Sequence, residues 1–71
     1  MTNYLEKINK IGISTATIQV MRKIGYCKAA DIMDSLINNG MVEKERNEYK
    51  KHTIISKADE IVDFVMTLVL F

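Results

Sequence analysis

The sequence predicts a mainly α fold with one small β-hairpin, and three observations predict it. Apolar residues recur at three- and four-residue spacing before Gly12, between Ser14 and Gly25, and between Tyr26 and Asn39. Capping and stopping residues fall between those stretches. A charged run, Glu43 to Lys51, then separates two short extended segments, Met41-Val42 and Thr53-Ile54-Ile55.

Thr2-Asn3 is suited to cap a first helix whose apolar face is Tyr4, Leu5, Ile8 and Ile11, with Gly12 ending it. Ile13 follows as a short, buried, extended residue. Ser14 or Thr15 opens a second helix with Ile18 and Met21 facing inward. Gly25 is expected to supply the positive φ of a tight helix-to-helix turn. A third helix runs from about Tyr26 to Asn39. Its inward stripe is Ala29, Ala30, Met33, Leu36 and Ile37, and its outer face carries Cys27, Lys28, Asp31, Ser35 and Asn38. Asn38-Asn39-Gly40 stops it. After the hairpin, Ser56 is placed to cap a last helix with Asp59 and Glu60 in its first turn. From Ile61 to Phe71 that segment is apolar nearly all round. A β-strand is the competing assignment there, because Val and Phe favour strands.

In this order the elements make a winged helix-turn-helix with an added C-terminal helix. It is read as a single domain over 1–71, with the helix-turn-helix about 14–39, the wing about 41–55 and the apolar helix about 57–71. Such a unit can present its third helix to a DNA major groove and its hairpin to the backbone or minor groove.

Composition narrows the reading. The chain has 71 residues, 48% of them hydrophobic, with no Pro, no Trp and one Cys. No disulfide can staple so small a core, so part of the apolar surface is expected to cover a partner. The C-terminal segment implies a homodimer through Phe64, Val65, Leu68 and Phe71. The net charge is +1, but it is unevenly spread. Val20 to His52 carries a net of +2, while Lys57 to the end carries −2. The charged N-terminus is no signal peptide, and Ile61–Phe71 is shorter than the ~20 apolar residues that cross a bilayer. A cytoplasmic protein with no membrane partner is expected.

The run I13-S-T-A-T-I-Q-V-M-R-K-I-G-Y-C-K-A-A-D-I-M-D-S-L-I-N-N-G-M-V resembles the gamma domain of FtsK/SpoIIIE DNA translocases. That family's pattern is close to S-x-S-L-L-Q-R-R-x-x-I-G-Y-N/T-R-A-A-R-x-I/V-D-x-L-E-x-x-G-I-V. Ser14, Gln19, Ile24, Gly25, Tyr26, Ala29, Ala30, Asp34, Leu36, Gly40 and Val42 match it. The resemblance covers less than half the chain and implies a winged helix that reads double-stranded DNA. Lys28 keeps the family's positive charge. Cys27 stands where the family has Asn or Thr, and Asp31 where it has Arg, so the family's DNA sequence does not carry over. No G-x-x-x-x-G-K-[ST] phosphate loop accompanies the match, so no motor is implied within this chain. Small winged-helix regulators and the centromere-binding adaptors of plasmid and phage partition systems share this architecture more distantly, and a motor or filament protein is then a possible partner.

The expected function is sequence-specific binding of double-stranded DNA as a dimer, by a small transcriptional regulator or partition adaptor. The expected DNA-binding residues are Arg22, Lys23, Cys27, Lys28, Asp31 and Ser35 around the third helix, and Lys44, Arg46, Lys50 and Lys51 in the wing. A solvated hairpin tip is the plainer reading of the latter. The alternative function is a winged-helix protein-interaction module that does not bind DNA. No enzyme and no cofactor are expected. His52 and Cys27 lie in different elements without the ligand cluster zinc needs, and Asp31 and Asp34 lack a desolvated pocket. Met21, Met33, Met41 and Met66 are expected as core filler, and Tyr26 as a packing residue with a polar tip.

Overall fold

The computed structural model describes residues 4–68. They form four helices and one two-stranded antiparallel sheet: α1 (Tyr4–Ile11), α2 (Thr15–Arg22), α3 (Tyr26–Asn38), β1 (Val42–Arg46), β2 (His52–Ile54) and α4 (Ala58–Thr67). The C-terminal segment is therefore helical rather than a strand, and its helix ends at Thr67. The expected Thr2-Asn3 cap and Phe71 lie outside the described residues.

The core takes one or a few side chains from each helix. Ile8, Ile18, Ile32, Leu36, Ile61 and Val65 are buried, together with Ile13, Ala29, Met33 and Val42. A fully buried residue of this kind contributes about 1.5–3 kcal/mol. α3 gives the core Ala29, Ile32, Met33 and Leu36, while Ala30 and Ile37 are half-buried. The sequence stripe omitted Ile32. In α1 only Ile8 is buried; Tyr4 and Leu5, expected on its inner face, are 38% and 40% exposed. α4 buries Ile61 and Val65 and leaves Asp59, Glu60, Asp63, Met66 and Thr67 exposed. Tertiary packing thus separates a helix that reads as apolar all round into an inner and an outer face. Of the methionines named as filler, Met33 is buried and Met21 and Met41 pack on the core, but Met66 is half exposed.

Caps explain where the helices begin and end. Ser14 is the N-cap of α2. Its Oγ accepts from the Thr17 N–H and its own N–H donates to Thr17 Oγ1, both at 3.3 Å. That reciprocal pair satisfies a donor that the first turn leaves free and stabilises by about 1 kcal/mol. The turn between α2 and α3 corrects the expectation for Gly25. Gly25 is extended (φ −72°, ψ 168°) and is the N-cap of α3, while Lys23 adopts the left-handed conformation at φ 56°. The chain reverses two residues earlier than expected, where a lysine accepts the strain. At the far end of α3, Asn39 is the C-cap and Gly40 has φ +68°. Before α4 the cap is Lys57, with no side-chain hydrogen bond, rather than Ser56. Asp59 and Glu60 do occupy the first turn.

The hairpin pairs Val42 with Ile54 and Arg46 with His52, with a bulge between them on β1. It is not a free arm. Ile13 and His52 exchange two backbone hydrogen bonds, Ile13 N–H to His52 O (2.9 Å) and His52 N–H to Ile13 O (2.7 Å). The residue linking α1 to α2 therefore lies beside β2 as a one-residue extension of the sheet.

Candidate nucleic-acid interface

Three short features meet on one side of the molecule: the start of α2, the start of α3 and the tip of the hairpin. Asn47 shapes the tip. Its Oδ1 accepts from the N–H groups of Tyr49 (2.9 Å) and Lys51 (3.3 Å). Its Nδ2 donates to the Ile11 carbonyl (3.0 Å) and to Thr53 Oγ1 (2.9 Å). One side chain closes the turn and ties it to the end of α1. An Asn with this local bonding is a known turn former, but the bond to Ile11 spans 36 residues and has no local signal.

His52 opens β2 and is buried at 8% exposure. Its Nδ1 lies 2.8 Å from the Glu43 carbonyl oxygen. A carbonyl only accepts, so Nδ1 carries the hydrogen. This bond spans the bulge and holds β1 against β2.

Two clefts flank Tyr26. One, of about 240 Å³, is lined by Ser14, Thr15, Ala16, Tyr26, Arg46, Lys50 and His52. The other, of about 550 Å³, is lined by the run Lys23, Ile24, Gly25, Tyr26, Cys27 and Lys28. Neither lining contains an Asp or a Glu. Glu43, Glu45 and Glu48 of the hairpin are exposed and line neither cleft. Tyr26 walls both clefts and is 63% exposed, so it is not the packing residue expected.

The expected contact residues divide accordingly. Lys23, Cys27, Lys28, Arg46 and Lys50 are exposed and line one cleft or the other. Lys44 and Asp31 are exposed but line neither, and Asp34 is exposed with them. Ser35 is half-buried, and its carbonyl accepts from the backbone and side-chain amides of Asn39. Lys51 is half-buried with Nζ 3.4 Å from Ser14 Oγ. Cys27 is a free, exposed thiol.

Arg22 lines neither cleft. Its Nη1 donates to the carbonyls of Val65 (3.0 Å) and Leu68 (2.5 Å). A guanidinium at a helix C-terminus satisfies carbonyls the last turn leaves free and complements the helix dipole. Arg22 is thus occupied in holding α4 against α2. Arg22→Ala should lower stability by about 1–2 kcal/mol, read as a shift in the urea midpoint. An unchanged midpoint would show that the clamp is not formed in solution.

Of the residues expected at a dimer surface, Phe71 lies outside the described residues. Val65 is fully buried in the chain's own core, and Phe64 and Leu68 are half-buried against it. No helix among the described residues is long and apolar enough to cross a membrane. No group of three or more His, Cys, Asp or Glu among them could hold a metal ion. Compared with protein-family models, curated proteins and solved structures, the chain matches none.

Proposed function

We propose that this chain is a winged helix-turn-helix protein that binds double-stranded DNA, with the first turn of α3 toward the major groove and the hairpin on the backbone. The observation that carries the reading is the pair of carboxylate-free clefts. They gather Lys23 and Lys28 from the α2–α3 turn and Arg46 and Lys50 from the hairpin around the start of α3. Clustered cations on one face are what a polyphosphate backbone requires, and such contacts supply most of the affinity. The resemblance of I-G-Y-C-K-A-A to a DNA-reading gamma domain points the same way, with Lys28 as its shared cation. Asp31 and Asp34, exposed beyond the first turn, would repel phosphate. The helix therefore meets DNA by its start rather than along its length. A small transcriptional regulator and a partition adaptor both need such a body.

The test is a gel shift on DNA from immediately upstream of the chain's own coding region, against a scrambled competitor and across a salt series. Specific retention is expected, with repeated bands if copies associate on the DNA. The double variant Arg46→Gln/Lys50→Gln should flatten the dependence of log affinity on log salt by roughly 2, since each phosphate contact contributes about 0.9. The absence of a shift at low salt would sink the DNA-binding reading. The exposed Asp31 and Asp34 would then favour a protein-interaction module instead.

A further inference from the structure

We propose that Tyr26 is a direct contact to the DNA backbone: the strand crosses its ring, one phosphate settles in the cleft of Arg46 and Lys50, a neighbouring phosphate settles in that of Lys23 and Lys28, and the phenol O–H donates to one of them. The inference rests on the DNA-binding reading and adds to it a residue and a path for the strand.

Three observations carry it. Tyr26 is the one residue common to the linings of both clefts. Each cleft is lined by two basic residues and no carboxylate, so each is suited to a single anionic group. The ring is 63% exposed, the highest value among the exposed large apolar and aromatic side chains of the described residues. Core packing accounts for little of its surface, and its hydroxyl has no intramolecular hydrogen bond among the described residues. A sugar–phosphate strand is the ligand that presents several anions in a row, and two cationic hollows that share Tyr26 in their walls can each take one of them. A free phosphate ion would need only one of the hollows.

The two sources of charge and the tyrosine separate experimentally. Binding of a short mixed-sequence duplex is measured by fluorescence anisotropy over a salt series for the unaltered protein and for Tyr26→Phe, with thermal unfolding of both followed by circular dichroism. Tyr26→Phe removes one oxygen and no charge. It should weaken binding about tenfold at every salt concentration, the scale of one hydrogen bond to a charged group, while leaving the salt slope and the unfolding midpoint unchanged. Lys23→Gln and Lys50→Gln should each flatten the slope by about 0.9. If Tyr26→Phe binds as tightly as the unaltered protein while both lysine variants lose slope, DNA binding stands and the tyrosine contact is wrong. A fall in binding matched by a fall in the unfolding midpoint would make the hydroxyl structural and also overturn the contact. If the unaltered protein binds no duplex at low salt, the DNA-binding reading itself fails and takes this inference with it.

Discussion

Gly12→Ala is expected to remove about half of the chain's stability. Gly12 has φ +98°, a region that L side chains rarely adopt. A Cβ there would lie 2.4 Å from the His52 carbonyl oxygen, 2.9 Å from its carbon and 3.3 Å from the Thr53 nitrogen. All three are backbone atoms, so no side chain can rotate away. Retreat of the strand is also barred, because that same carbonyl accepts the Ile13 N–H. The backbone conformation costs about 1–3 kcal/mol for a non-glycine residue, and overpacking adds a further ~1–3 kcal/mol. At ~0.05–0.15 kcal/mol per residue, a chain of 71 residues has about 4–11 kcal/mol to lose. The two costs together, about 2–6 kcal/mol, are about half of that, seen as a large drop in the urea midpoint and in the thermal transition. Gly25→Ala is the control. Its Cβ would meet nothing within 4 Å and its φ is negative, so the midpoint should barely move. Equal midpoints for the two variants would mean that the chain between α1 and α2 does not pass this close to β2.

Asn47→Ala is the second large effect. It deletes four hydrogen bonds, two that close the hairpin tip and two that anchor it to Ile11 and Thr53. At about 0.5–1.5 kcal/mol each, with part of the site exposed, the loss should be about 2–4 kcal/mol. Hydrogen exchange at the Tyr49 and Lys51 amides should rise well above that of the core helices. Asn47→Asp keeps the acceptor for those two amides but not the donor for Ile11, so it should restore slow exchange at the tip and recover only part of the stability. Because Arg46 and Lys50 flank the anchored turn, Asn47→Ala should also weaken DNA binding without changing its salt slope. Wild-type exchange at Tyr49 and Lys51 in the Ala variant would show that something else closes the turn.

The hairpin marks the limit of what local sequence reports about the candidate site. Its strands and polar tip follow from Met41-Val42, the charged run and Thr53-Ile54. Asn47 stood in that run as one polar residue among charged ones, and its anchoring role depends on a carbonyl 36 residues away. The bonding of Arg22 and His52 lacks a local signal for a similar reason. Both partners of Arg22 are carbonyls at the end of a helix more than 40 residues later, and His52 bonds the Glu43 carbonyl nine residues away and pairs with Ile13. A basic or imidazole side chain carries no local mark of whether it faces water or a distant backbone oxygen.

What the sequence determined by itself was the series of elements. Helical spacing, the Ser14 cap, the Asn39-Gly40 stop and the β-branched run after the charged tip are each decided within a few residues, where backbone sterics and local hydrogen bonds act. The tertiary structure alone decided which faces those elements bury. It turned Tyr26 outward, spent Val65 on the chain's own core, moved the left-handed residue from Gly25 to Lys23, and sorted the charges into clefts free of carboxylates. Burial and charge segregation are sums over neighbours from the whole chain, and they exist only once the helices and the hairpin have packed together.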